Sequence, residues 1–351
     1  MNVALVGAGN IAARYAQCIA DVPRLTFAGA TDVVMGRAEE LVAARGGTAY
    51  ESLDALLADD AVDVVVNLTA PTAHAPVTAA ALAAGKHVHT EKPLALSYEK
   101  AAQLVDLAVA RGVRLSCAPA TLLGEAQQTA WKLVRDGAIG RVRVCYAEAN
   151  WGRIESWHPS PETLYESGPA IDVGVYPLTI ATAMFGPVRC VRAYGTIVQP
   201  TRVRRDGATF ELATPDFTVA ALELESGVVV RLTATFWVGP GKQRGLELHG
   251  DDGSLYLATW AEFDSRLERS SDGITYEAMP LLREPYPGTD WARALVDLAE
   301  ALDEGRPHRA GAEHAAHVVE ALDAIAASSR DGGTVEVRSS FPAPAPLDWA
   351  L

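Results

Sequence analysis

Val3-Ala4-Leu5-Val6-Gly7-Ala8-Gly9-Asn10-Ile11-Ala12 joins a short apolar run to the start of a helical pattern through two glycines. Val3–Val6 is β-branched-rich and apolar at every position, as a strand buried on both faces requires. The turn reads G-x-G-x-x-A. Gly7 permits the tight turn, Gly9 lets a pyrophosphate approach the backbone, and Ala12 lets the helix lie close to the sheet. The helix N-terminus, entered through Asn10 and Ile11, offers unpaired N–H groups and a partial positive charge to phosphates. Asp32 ends the second strand at the spacing of an acid that accepts from the adenosine ribose and repels a 2′-phosphate. This favours NAD over NADP. Arg37 is the competing feature, since an arginine there could reach a 2′-phosphate.

Outward from this loop, apolar runs alternate with amphipathic ones. Leu25–Ala30, Val62–Asn67, His87–His89 and Val113–Ser116 read as further strands. Ile11–Ala20, Arg37–Ala44, Ala73–Ala84 and Tyr98–Ala110 read as helices. The β-α-β-α order predicts a doubly wound parallel sheet. After a helix at Leu122–Gly137 the texture changes. Arg141–Trp151, Arg189–Val198, Phe217–Leu224, Val228–Trp237, Gly245–His249 and Ser254–Ala258 read as strands of a large, mainly antiparallel open sheet. Glu225-Ser226-Gly227 and Asp251-Asp252-Gly253 supply hairpin turns. Helices are expected near Ile171–Phe185, Asp290–Glu304 and Gly311–Ser329. The expectation is an α/β domain over 1–121 and an α+β substrate and oligomerisation domain over 122–338. The last helix is a candidate to pack back on the first domain, and 339–351 form a Pro-rich tail extended on the surface.

Composition narrows the function. Lys plus Arg total 30 against 44 Asp plus Glu, a formal net charge of −14. Such a surface repels a phosphate backbone, so nucleic acid is not an expected partner. Hydrophobic residues make up 49%, enough for sizeable cores. No apolar run approaches a membrane span, and no basic leader precedes Val3. The expected setting is the cytoplasm, with Cys18, Cys117, Cys145 and Cys190 reduced. His87 and His89, and His314 and His317, are spaced to share a face, but neither pair has a third ligand nearby in sequence, so no metal is expected.

Ala84-Gly85-Lys86-His87-Val88-His89-Thr90-Glu91-Lys92-Pro93-Leu94 gives a second cluster, and Ile171-Asp172-Val173-Gly174-Val175-Tyr176-Pro177 a third. The A-G-K-H-V-x-x-E-K-P-L and D-x-G-x-Y patterns closely resemble the signatures of the Gfo/Idh/MocA oxidoreductases. Gly137-Ala138-Ile139-Gly140 and Gly305-Arg306-Pro307-His308 extend the resemblance along most of the chain. It implies a Rossmann domain followed by an open-sheet domain. It also implies hydride transfer between a nicotinamide and a hydroxyl-bearing carbon of a sugar, polyol or related compound. By the resemblance, the motif lysine is Lys92, the aspartate Asp172, and the histidine or tyrosine Tyr176. Glu91 and Pro93 shape the nicotinamide loop, and Asn67, Pro71 and His74 fall in the cofactor-lining turn. The sequence departs from the family at Glu166-Ser167-Gly168-Pro169, where many members carry three glycines, and at Tyr176, where histidine is commoner.

Alcohol oxidation needs a hydride acceptor and a base. A desolvated lysine pocket lowers the lysine pKa, and a nearby ammonium lowers that of a phenol. Tyr176 as proton acceptor with Lys92 supporting its phenolate, and the reverse assignment, both fit these residues. Asp172 would orient Lys92 or the substrate. Trp151 and the Trp157-His158-Pro159 stretch are candidates for the substrate side. Two other functions use the same residues: a glycoside hydrolase with tightly held NAD, and a non-catalytic dinucleotide sensor. A large open sheet with one apolar, unsolvated face predicts pairing through that face, and the resemblance implies a homodimer or homotetramer.

Overall fold

A computed structural model describes residues 1–158 and 160–351. Pro159, named above with Trp157 and His158, lies outside the described residues. Contacts divide the chain into two compact units: Met1–Ala120 with Asp290–Val319, and Thr121–Thr289 with Glu320–Leu351.

The first unit is built on six parallel strands: β1 (Asn2–Val6), β2 (Thr26–Thr31), β3 (Thr48–Ala49), β4 (Val64–Asn67), β5 (His87–Thr90) and β6 (Leu115–Cys117). Their order is β3-β2-β1-β4-β5-β6, the doubly wound order whose switch point lies between the first and fourth strands. The helices α1 (Ala12–Ala20), α2 (Met35–Arg45), α3 (Leu53–Leu57), α4 (Pro71–Ala83) and α5 (Tyr98–Arg111) connect the strands. Alternation along β1 divides the core. Val3 and Leu5 pack with Tyr15 and Ile19 of α1, while Ala4 and Val6 pack with Leu104 and Ala108 of α5. The helix Arg293–Glu304 buries Leu295 and Leu298 against the α1 layer. Asp290–Val319 groups with the first unit, and the sequence reading allowed its last helix to pack back on that domain. The two-residue β3 and one-turn α3 were not anticipated.

The second unit carries nine strands: β7 (Val142–Asn150), β8 (Val188–Thr196), β11 (Phe217–Leu224), β12 (Val229–Thr235), β13 (Gly245–Gly250), β14 (Gly253–Leu257), β15 (Leu267–Ser270), β16 (Glu277–Ala278) and β17 (Thr334–Glu336). Their order is β16-β15-β14-β13-β7-β12-β11-β8-β17. Among these pairs β7–β12 is parallel and the others are antiparallel. A separate hairpin, β9 (Thr201–Val203) with β10 (Thr209–Glu211), follows β8. The helices α6 (Glu125–Arg135), α7 (Glu162–Pro169) and α8 (Val175–Phe185) belong to this unit. Ala130 of α6 and Ile180 and Phe185 of α8 meet Leu246, Leu248, Leu255 and Leu257 of the sheet.

The opposite sheet face carries polar as well as apolar side chains. Register aligns Glu268, Tyr256, Glu247, Tyr146, Arg231, Ala221 and Arg192 in one row across it. Arg231 pairs with Glu148 and covers the Tyr146 ring at 3.7 Å. Charged and aromatic side chains mark this row, while Val144, Val219 and Val229 share the same face.

The tail runs along the surface and is anchored at two points. Phe341 is 8% exposed and Ala350 fully buried; Leu347 N–H donates to Gln128 Oε1 on α6 at 2.8 Å. Apolar side chains within the Pro-rich stretch pin it down. Among the described residues no helix is long and apolar enough to cross a membrane.

Candidate functional site

The glycine loop lies at the carboxyl end of β1. Gly7 has φ of 99°, and a Cβ there would stand 2.8 Å from the Leu68 carbonyl oxygen, so both conformation and space demand glycine. A Cβ on Gly9 would meet nothing of the protein within 4 Å. Internal packing therefore does not explain this glycine, whereas approach of a group from outside would. Asn10 is exposed, and Ile11 sits at the N-cap of α1 without a side-chain cap; Ala12 N–H turns back to Gly9 O and Arg14 N–H to Ile11 O, each at 3.1 Å.

Asp32 is partly buried and tied to the loop. Its Oδ2 accepts from Ala8 N–H at 2.7 Å, and its Oδ1 accepts from Val34 N–H at 2.8 Å. The carboxylate is thereby held beside the glycines with lone pairs remaining for further donors. Arg37 is exposed on the first turn of α2.

Asn67 and His74 hydrogen-bond within the turn that follows β4. Asn67 is fully buried. Its amide donates to His74 O at 3.0 Å and Thr78 Oγ1 at 3.1 Å, and its oxygen accepts from Thr69 Oγ1 at 2.7 Å. His74 is 1% exposed, with Nδ1 2.7 Å from Pro93 O and Nε2 2.9 Å from Thr69 O. Both side chains brace the turn after β4 from inside and link it to the segment that follows Lys92. Pro71 opens α4 at its first turn, where a missing N–H costs nothing.

Lys92 follows β5 and is partly buried. Beneath it lies a polar chain the motifs did not reveal. Glu91, 7% exposed, accepts from Tyr15 Oη at 2.8 Å, and its other oxygen accepts from Lys92 N–H at 3.2 Å. His89 stands 3.0 Å from Ser116 Oγ and 3.4 Å from Tyr15 Oη. Burial, then the neighbouring His308, pushes its pKa down to about 3, so the imidazole is neutral. Burial, then the Glu91 carboxylate, pushes the neighbouring Cys117 thiol well up. His89 is thereby packed into a hydrogen-bond chain with Ser116 and Tyr15.

In the second unit, α7 ends at a kink where Gly168 takes φ of 76°. Ala170–Gly174 then form a π-helical turn, and α8 begins at Val175. The continuous helix expected from Ile171 is thus a wide turn joined to a regular helix, a feature frequent at functional sites. Gly174 permits the close approach: its Cβ would lie 3.4 Å from the Ala234 and Leu232 side chains of β12. Asp172 lies in the π turn and Tyr176 in the first turn of α8, both partly buried.

Tyr176 begins a run of aromatic rings. Its centroid is 4.7 Å from that of Trp260, which lies 5.8 Å from Trp151, itself 6.5 Å from Trp157; His158 follows at 5.4 Å. Trp260 is 6% exposed and donates from Nε1 to Glu148 O at 3.2 Å. It went unnoticed in the sequence because it sits in a loop after β14 with no motif around it.

Two family models match this chain. Residues 1–118 match the oxidoreductase family with an NAD-binding Rossmann fold, and residues 127–256 match the GFO/IDH/MocA C-terminal domain. The chain belongs to the Gfo/Idh/MocA oxidoreductase family. A dTDP-3,4-didehydro-2,6-dideoxy-alpha-D-glucose 3-reductase of Streptomyces violaceoruber is 33% identical over 212 residues, 60% of this chain and 59% of that protein. A D-xylose 1-dehydrogenase (NADP(+)) of Haloferax volcanii is 27% identical over 297 residues, 83% of this chain and 85% of that one. Among solved structures, the aldose-aldose oxidoreductase of Caulobacter crescentus superposes with a TM-score of 0.83 at 21% identity, covering 96% of this chain and 99% of that one. The last likeness shows the fold.

Proposed function

We propose that this member of the Gfo/Idh/MocA family transfers a hydride between NAD and a hydroxyl-bearing carbon of a sugar or polyol. The observation that carries the reading is the glycine loop at the N-terminus of α1 with Asp32 bonded to its Ala8 N–H at 2.7 Å. The cofactor, when bound, accepts or supplies the hydride. Gly7, Gly9, Asn10 and Ile11 would hold its pyrophosphate at the helix N-terminus. Asp32 would accept from the adenosine ribose hydroxyls and repel a 2′-phosphate. Pro71 and Glu91 would shape the nicotinamide side, with Asn67 and His74 supporting from below.

Lys92, Asp172 and Tyr176 would serve the substrate. An ammonium at Lys92 stabilises negative charge on the substrate oxygen as its proton leaves, and the Tyr176 phenol exchanges that proton. Asp172 orients the polar partner through its carboxylate. Trp151 and His158 would contact the sugar. Assembly into a homodimer or homotetramer through the open face of the nine-stranded sheet belongs to the same reading. Its cross-strand row of charged and aromatic groups would make such an interface polar at its rim.

The test is a fluorescence titration of the purified protein with NADH and with NADPH. The reading expects tighter NADH binding, lost when Asp32 is replaced by Ala. Tighter NADPH binding would assign the 2′ position to Arg37 and overturn the NAD preference. No binding of either would overturn the enzymatic reading.

A further inference from the structure

The aspartate of the π turn is held between two fixed ends. Asp172 lies within Ala170–Gly174. At the far end, Gly174 rests on β12, close to the Leu232 and Ala234 side chains. At the near end, Gly168 is buried with φ of 76°, and a Cβ there would stand 3.2 Å from Thr214 Cγ2 and 3.5 Å from Pro215 O. Thr214 Oγ1 also donates to Glu166 O of α7 at 3.3 Å. Thr214 and Pro215 are therefore the stop against which α7 ends. About one turn of chain separates that stop from Asp172, so a shift of the stop is passed on to the carboxylate.

The stop and α7 lead to one side chain. Asp216 follows the stop directly and is fully buried. Its N–H donates to Thr196 O at 3.2 Å, and its carbonyl accepts from Phe236 N–H at 2.9 Å. Its carboxylate accepts from the Arg202 guanidinium. Tyr165 of α7 is buried and donates to Glu155, whose other oxygen lies 3.2 Å from Arg202. Arg202 belongs to β9, so one guanidinium ties the hairpin, α7 and the stop together. Stability alone does not call for this arrangement. Well-packed apolar side chains of similar volume are often as stable as a buried ion cluster, or more so. Moreover, Arg202 Nε is buried with no hydrogen-bond partner among the described residues. What such a cluster adds is a single relative placement of the segments it joins.

We infer that Arg202 is a positioning residue for Asp172: by joining Glu155 to Asp216 it fixes where α7 stops, and hence where the π turn presents its carboxylate. This rests on the reading of Asp172 as a group that serves the substrate. Arg202 is buried and acts on the reaction only through that turn. Its planar fork serves two carboxylates at once, which the single ammonium of a lysine does not reproduce. Misplacing a group that orients the substrate by about 1 Å costs up to about 100-fold in rate.

The experiment compares wild type, Arg202→Lys and Tyr165→Phe in two ways. Amide hydrogen exchange is followed along the second unit, and turnover is measured with the sugars that the wild type oxidises. Both are done at a temperature where circular dichroism shows each variant folded. The inference expects exchange at Ala170–Tyr176 to quicken in both variants, while β13 and β14 keep wild-type rates. It expects kcat to fall about tenfold or more in Arg202→Lys and less in Tyr165→Phe, with sugar KM and NADH affinity unchanged. Tyr165→Phe deletes only a hydroxyl and keeps the ring contacts to Phe236 and Phe210, so it supplies a folded variant if Arg202→Lys does not. Unchanged exchange at the turn would overturn the inference. So would faster exchange spread evenly over the second unit, the mark of a cluster that only stabilises, or a loosened turn with wild-type kcat. A wild type that oxidises no sugar would remove the functional reading instead, and exchange at the turn would still decide whether Arg202 holds it.

Discussion

Replacing Arg202 by Met should remove the charge from the best-buried ion cluster described in the second unit while keeping much of the side-chain stem. Arg202 is 2% exposed; Glu155 and Asp216, which it serves, are 7% and 0% exposed. The guanidinium lies 3.2 Å from Glu155 Oε1 and within bonding distance of Asp216, with the Trp237 ring 4.6 Å and the Tyr165 ring 5.3 Å away. Without it, two carboxylates face each other across a site that water does not reach. Breaking a buried pair from one side costs about 3–5 kcal/mol. Some support survives: Tyr165 Oη still donates to Glu155, and Val198 N–H to Asp216 at 2.7 Å. Arg202→Met is therefore expected to lower the unfolding free energy by about 3–5 kcal/mol. Urea denaturation at neutral pH, followed by tryptophan fluorescence, measures it. Arg202→Met/Asp216→Asn should then be more stable than the single Met variant, because one uncompensated charge is gone. A loss below about 1 kcal/mol, or strict additivity of the two substitutions, would refute the reasoning.

Three further outcomes follow from the first unit. His89 and His314 are fully buried, and burial brings each pKa from 6.5 down to about 3. Below pH 6.5 the unfolded chain binds protons that the folded one excludes. Stability should thus fall between about pH 6.5 and 3, by about 1.4 kcal/mol per pH unit for each histidine; urea midpoints from neutral pH down to about pH 5 check this, and His89→Gln should flatten the slope. Gly7→Ala, with φ of 99° and a carbonyl oxygen 2.8 Å from the new methyl, should cost about 1–3 kcal/mol and NADH affinity. Gly9→Ala, whose methyl meets nothing within 4 Å, should keep stability and lose NADH affinity. Thermal unfolding beside NADH titration separates the two. Tyr15→Phe deletes the 2.8 Å bond to Glu91, so kcat should fall with little change in KM, and stability by about 1.5–3 kcal/mol; unchanged kcat would show that Glu91 needs no such support.

The nucleotide half of the molecule was legible because its determinants are local. Gly7, Ala12 and the alternating apolar runs carry their own geometry, and the strand positions fell within a few residues of those observed. What was missed depends on partners far away in sequence. Leu295 and Leu298 look like any amphipathic helix until their burial against the α1 layer is seen. Trp260 has no motif, and only the fold brings it between Tyr176 and Trp151. The internal bonds of Asn67 and His74 to Thr78, Thr69 and Pro93 likewise depend on the fold. The strand residues Arg231 and Glu247 were always polar, yet their meeting with Tyr146 in a cross-sheet row depends on register, which no single strand specifies.

The central claim is hydride transfer served by Lys92, and it is tested most directly by following reduction of NAD with a panel of sugars and glycosides. Wild-type protein is compared with Lys92→Met and Tyr176→Phe, each also titrated with NADH. The account predicts turnover with at least one sugar, lowered about 10²–10⁴-fold in Lys92→Met with NADH affinity retained. Wild-type turnover in Lys92→Met, or NADH binding with no sugar oxidised by the wild type, would contradict it.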